Sequence, residues 1–173
     1  MSYCRKNNLP VQVENLINQQ INMELSASHV YLALYSFFMN DQQSFPGFAK
    51  FFKHASDEET CHAKKIIDYQ NIRGGNVRIL GIPIPNFNSI NNNTSILYQA
   101  INFSLNLEQL VYDSIINIHD TCNDKGLQVF LDDFIKEQLE SQFELGTLLR
   151  KLERIGNDGH GLTQIDNEMN EKY

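Results

Sequence analysis

The 173-residue sequence predicts an all-α fold: a four-helix bundle with one long crossover and a short fifth helix at the C-terminal end. Three observations predict it. Apolar residues recur at helical spacing in four long segments. The breaks after the first and third segments are short, which makes each pair antiparallel. About twenty residues, Gly74 to Asn93, separate the second segment from the third. At about 3.3 Å per extended residue they can run the length of a bundle, so the third helix starts at the end opposite to where the second finished.

The first segment, 11–39, follows Leu9-Pro10, where proline suits a helix start. Its inward stripe reads Val13, Ile17, Gln20, Glu24, Ala27, Tyr31, Leu34 and Phe38. The second, 45–73, opens at Ser44-Phe45-Pro46, read as a cap and a first-turn proline. It stops at Arg73-Gly74-Gly75, and its stripe is Phe48, Phe52, Ala55, Glu59, His62, Ile66 and Tyr69. The third, 94–122, opens at Asn93 or Thr94 and carries Leu97, Ile101, Ser104, Glu108, Val111, Ile115 and Ile118. After a break around Asn123-Asp124-Lys125-Gly126, the fourth, 125–155, shows Leu127, Leu131, Phe134, Gln138, Ser141, Leu145, Leu148, Leu152 and Ile155. Gly156 stops it, and 160–170 forms the short fifth helix. Val77 to Pro85 is apolar, but Pro83 and Pro85 reduce it to a loop or a sheet edge. The length implies one domain over 1–173.

Composition is that of a globular protein, 42% hydrophobic and 20% charged, and no run approaches the roughly 18 apolar residues of a membrane span. A net charge of −7 with pI near 5.1 disfavours nucleic acid and favours cations as partners. No apolar secretory segment follows Met1-Ser2-Tyr3-Cys4. Cys4, Cys61 and Cys122 are too scattered for a disulfide framework or a zinc pattern. They read as free thiols in a reducing compartment, and the expected location is cytoplasmic.

Each of the four stripes is interrupted near its middle by a residue able to bind metal: Glu24, Glu59 with His62, Glu108, and Gln138. Each lies about 12–13 residues, or about 20 Å, into its helix, so the four meet at one level whichever way each helix runs. Glu59 and His62, three apart, share one helix face. A carboxylate buried alone costs several kcal/mol. A metal cation, a buried salt bridge, or a network of protonated carboxyls would each compensate it, but no Lys or Arg occupies these stripes. Three carboxylates, one imidazole and one amide suit Fe(II), Mn(II) or a pair of such ions better than copper or structural zinc. Glu59 is the best placed to bridge two ions, and iron with open positions can pass electrons to O2. Tyr31 reads either as a core aromatic or as a hydrogen-bond donor and further electron source beside the site.

Over nearly its whole length the chain resembles the ferritins. The matching stretches are 21–32 around Glu24 and Tyr31, Phe48-Ala49-Lys50-Phe51-Phe52 through His62, Asn71-Ile72-Arg73-Gly74-Gly75, Leu107-Glu108, and Lys136-Glu137-Gln138. The resemblance implies a ferritin-like di-iron domain in which Glu24, Glu59, His62, Glu108 and Gln138 are the ferroxidase ligands of an iron-oxidising, heavy-type subunit. It implies Fe(II) as substrate, O2 or H2O2 as oxidant, iron as the only cofactor, and storage of Fe(III) mineral in a 24-subunit shell. That shell would be built from copies of this chain or by co-assembly with other ferritin subunits. The turn at Asp124-Lys125-Gly126-Leu127 and the tail around Gly161-Leu162 look more like bacterial non-haem ferritins. That type adds a third iron site, for which Glu58, Glu137 and Glu140 are candidates, although Ser141 stands where a bridging glutamate is expected. The acidic pair that lines the threefold channel of animal ferritins is missing, and His119, Asp132 and Asp133 are candidate substitutes. Cys61 and Lys64 stand where nucleating carboxylates would help, which predicts mineral nucleation slower than oxidation.

Overall fold

The computed structural model describes residues 9–85 and 95–173. Five helices follow in order: α1 (Val11–Met39), α2 (Pro46–Ile72), α3 (Ile96–Thr121), α4 (Lys125–Ile155) and α5 (Gly159–Lys172). No strand occurs among the described residues. Phe38 at the end of α1 packs on Phe45 and Phe48 at the start of α2, while Asn18 and Gln70, near the far ends, both donate to Asn76 O. The two helices are therefore antiparallel. Leu97 and Ile101 join the same aromatic cluster as Phe38, so α3 begins at the end opposite the α2 C-terminus, as a long crossover requires. None of the helices among the described residues is long and apolar enough to cross a membrane.

The buried apolar residues fall into two clusters along the bundle. One gathers Phe38, Phe48, Phe52, Leu97, Ile101, Leu145, Leu152 and the α5 residues Ile165 and Met169. The other gathers Val13, Ile17, Ile21, Ile66, Val111, Ile115, Leu127 and Leu131. Between them lie buried Gln20, Glu24, Glu59, Ser104, Glu108 and Gln138. The bundle thus has two greasy halves separated by a polar layer.

The helix ends differ in detail from the sequence expectation. Ser44 does not cap α2: its backbone is left-handed, with φ 54°, and the cap position is Phe45, which makes no side-chain cap bond. Asp166 Oδ1 of α5 accepts from Phe48 N at 3.0 Å instead, so the α2 N-terminus is capped from another helix. The start of α3 is Ile96, capped by Ser95 Oγ, which accepts from Tyr98 N. Asn93 and Thr94, the expected opening positions of this helix, lie outside the described residues, as does Cys4. Asp124 caps α4 by accepting from Leu127 N at 2.8 Å and is gripped by both Arg73 terminal nitrogens, at 2.9 and 2.7 Å. This ties the end of α2 to the start of α4.

Two side-chain amides hold the first part of the crossover. Asn18 donates to Asn76 O and accepts from Arg78 N. Asn22, one turn on, donates to Arg78 O and accepts from Leu80 N. The extended chain is read peptide by peptide by α1, which satisfies backbone groups that a sheet would otherwise pair.

The contact between α5 and α2 depends on Gly47. A Cβ there would stand 1.9 Å from Asp166 O and 2.8 Å from Asn170 N. Gly47→Ala is expected to push α5 off α2 at a cost of about 1–3 kcal/mol and to remove the Asp166 cap. Hydrogen exchange should then show faster exchange across α5 and the first turn of α2, with α3 unchanged.

Candidate metal centre

Residues three or four apart on a helix share a face, and this places the polar layer. Glu24 comes from α1, Glu59 and His62 from α2, Glu108 from α3, and Gln138 from α4. Glu24 and Glu59 are brought together by a close approach of α1 and α2 at small hydroxyl residues. Ser28 Oγ donates to Ser56 O and Ser56 Oγ to Ser28 O, both at 2.9 Å, and Ser28 and Thr60 hydroxyls lie 2.9 Å apart.

Glu24, Glu59 and His62 each offer a ligand atom, all within 4.8 Å of one another. Glu24 is fully buried and Glu59 nearly so. Gln20 Nε2 donates to Glu24 Oε1 at 2.7 Å, while Glu24 Oε2 is buried without a hydrogen-bond partner. His62 presents Nδ1 3.3 Å from Glu59 Oε2 and Nε2 2.8 Å from Glu137 Oε2. The Glu137 carboxylate favours a proton on Nε2 and so frees the Nδ1 lone pair on the Glu59 side.

Glu108, Gln138 and Tyr31 make a second group. The Tyr31 hydroxyl donates to Glu108 Oε1. Gln138 Nε2 donates to Glu108 Oε2 and, at 3.2 Å, to Glu108 O. Glu59 joins the two groups, with side-chain interactions to both Glu24 and Glu108.

The layer's electrostatics follow from this crowding. Burial, then the neighbouring Glu59 charge, pushes Glu24 well above the usual carboxylate range. Burial and the Glu108 charge push Glu59 up to about 8. Glu108 is also raised by burial, but the Tyr31 and Gln138 hydrogen bonds pull it back. Burial and the same carboxylate push the Tyr31 phenol well up. Glu59 therefore favours its protonated form near neutral pH, and burial disfavours the charged form of Glu24 as well, in a layer whose one basic side chain among the described residues is His62. Divalent cations could take the protons' place.

A cavity of about 220 Å³ adjoins the centre, reaching it past Tyr31, His62, Glu108 and Gln138. Glu58, Glu137 and Glu140 line it, but each has another partner: Glu58 pairs with His54 at 3.2 Å, Glu137 also with Lys65 at 3.2 Å, and Glu140 with Lys136 at 3.8 Å. Ser141 lines it as well. At its outer side Tyr173 and Lys172 both donate to Glu144. His119 lies 3.5 Å from Asp132, which is exposed on α4 ahead of Gln138 and outside the buried layer. Cys61 is an exposed free thiol and Cys122 a buried one. Sequence reasoning assigned no role to Gln20, although it stands in the stripe one turn before Glu24. It also missed the Ser28–Ser56 pairing and the aim of Glu137 at His62.

The family model for a ferritin-like domain matches residues 14–155. The chain is 37% identical over 161 residues to a ferritin of Pacifastacus leniusculus, covering 91% of this chain and 87% of that protein. The chain belongs to the ferritin family. A crystal structure of ferritin from the multicellular green alga Ulva pertusa superposes with a TM-score of 0.91 at 35% identity, covering 98% of this chain and 88% of that one. Chloroplastic ferritin-2 of Zea mays is 40% identical over 159 residues, which is 88% of this chain but 62% of the maize protein. The chain thus spans under two thirds of that relative's length. Ferritin membership supports a role in iron storage.

The relatives overturn the cytoplasmic expectation. Ferritins of maize, Malus baccata, soybean and Arabidopsis that match this chain are chloroplastic proteins, so the cytoplasmic expectation does not stand. The expectation leaned on scattered cysteines read as free thiols and on an N-terminal stretch without an apolar run. Plastid-targeting segments are amphipathic and carry no such run, so that feature does not separate the two compartments.

Proton retention by Glu59 fixes the sign of a pH effect on the metal-free protein. Between the ordinary value of 4.5 and about 8, the folded chain holds a proton that the unfolded chain releases, so stability falls as pH rises through this window. Differential scanning calorimetry should show that loss in the metal-free protein, a shallower slope in Glu59→Gln, and a larger stabilisation by added Mn(II) at the alkaline end than at the acid end.

Proposed function

We propose that this chain is an iron-oxidising storage subunit. The observation that carries the reading is a buried cluster of three carboxylates and one imidazole with an unpartnered carboxylate oxygen, Glu24 Oε2, and with only protons available to balance its charge. In this reading Fe(II) is the substrate. Glu24, Glu59 and His62 take one ion, while Glu59, Glu108 and Gln138 take the second, so Glu59 bridges. Each Fe(II) gives one electron to O2, which with two protons becomes H2O2. The ligand set is rich in hard oxygen donors, which stabilise Fe(III) over Fe(II) and favour the oxidation.

Tyr31, held on Glu108, orients that carboxylate and is the nearest residue able to supply a further electron. Glu137 positions His62 through Nε2, and with Glu58 and Glu140 it gives the oxidised ion carboxylates along the cavity that leads away. Iron occupies the site transiently as substrate, and no organic cofactor takes part. The product moves into a hollow shell of 24 copies, or of this chain with other ferritin subunits, and is stored there as mineral. Because Cys61 and Lys64 replace carboxylates on α2, nucleation lags behind oxidation.

Stopped-flow absorbance after mixing with Fe(II) in air tests the oxidation. A fast phase is expected in the wild-type chain and should slow at least about tenfold in a Glu59→Ala, His62→Ala double variant. Identical traces would rule the reading out.

A further inference from the structure

We propose that Gln20 is a positioning residue that fixes which oxygen of Glu24 meets the metal. The inference rests on the metal-centre reading above and extends it to a residue outside the ligand set. Gln20 is fully buried, one turn before Glu24 on the same face of α1, in a stripe otherwise filled there by Val13, Ile17 and Ile21. An apolar side chain would serve the core better at such a position. Its only side-chain hydrogen bond among the described residues goes from Nε2 to Glu24 Oε1, at 2.7 Å, and its own Oε1 has no partner. The amide is therefore committed to one carboxylate oxygen.

The consequence is geometric. The terminal torsion of a glutamate is broad and roughly two-fold, so an untethered carboxylate can offer either oxygen or both. A hydrogen bond to a metal-bound, ionised carboxylate is among the stronger ones, and Gln20 places it on Oε1. Oε2 is left bare within the group formed with Glu59 and His62. Glu24 then binds through one oxygen, in a fixed direction, without swinging toward chelation. Partners of ligands in this way typically change metal affinity about 10–100-fold when removed.

Co(II), which air does not oxidise in such sites and whose visible absorption reports coordination, is the probe. Titrations of the full-length assembled protein compare wild type with Gln20→Met, a donor-free side chain of similar length, and with Gln20→Leu as a second donor-free variant. The expected result is about 10–100-fold weaker Co(II) binding together with a changed ligand-field spectrum. Unchanged affinity in the Gln20 variants, or weaker binding with an unchanged spectrum, overturns the positioning role. Glu59→Ala, His62→Ala separates this from failure of the underlying reading. If wild type binds Co(II) no better than that double variant, the metal centre itself is refuted and the Gln20 role with it. If the double variant loses binding while Gln20→Met keeps it with a wild-type spectrum, only the Gln20 role falls.

Discussion

The structure depends on keeping three carboxyl groups in one water-poor layer between two apolar halves. Few arrangements tolerate this. An isolated buried carboxylate costs several kcal/mol, and a second one close by adds repulsion to desolvation. The chain answers by donating to Glu108 from Tyr31 and Gln138, to one oxygen of Glu24 from Gln20, and burial pushes Glu24 and Glu59 toward their neutral forms. Glu24 Oε2 is left unanswered. A layer whose buried carboxyls are pushed toward their neutral forms is one that cations can enter by displacing protons, and this is the physical link from packing to proposed function.

Much of the remaining architecture holds that layer in register. The reciprocal Ser28–Ser56 bonds set the spacing of α1 and α2 beside Glu24 and Glu59. Arg73 on Asp124 joins α2 to the start of α4, the helix that carries Gln138 and Glu137. At the other end α5 caps α2 through Asp166 and passes over Gly47. Its last residues, Lys172 and Tyr173, then reach Glu144 at the cavity. The short fifth helix thus belongs to the surroundings of the metal centre as well as to the bundle end.

The helices and the level at which Glu24, Glu59, Glu108 and Gln138 meet were legible because each follows from spacing within one segment. A stripe with a polar break at mid-helix reads the same whichever partner it packs on. What was not legible depends on how helices cross. Asp166 caps Phe48 from 118 positions away, which no local cap pattern reveals, and Ser44 was credited with that work. The grip of Asn18 and Asn22 on the crossover needs the loop laid against α1. Gln20 looked like an ordinary member of its stripe because its value lies in an orientation. Glu137 stood beside a ligand in sequence, yet what it aims at is set by the α2–α4 packing. The compartment was misjudged because an N-terminal stretch free of a long apolar run argues against a secretory segment and nothing finer.

The claim at the centre of this account is that the polar layer is built for two cations sharing Glu59. Anomalous diffraction from crystals soaked anaerobically with Fe(II), collected at the iron edge, tests it most directly. Two peaks are predicted within the layer, one between Glu24, Glu59 and His62 and the other between Glu59, Glu108 and Gln138, with Glu59 in contact with both. A layer without anomalous density, with Glu24 still held by Gln20 and Glu108 by Tyr31 and Gln138 while iron collects only on surface acids, would contradict it.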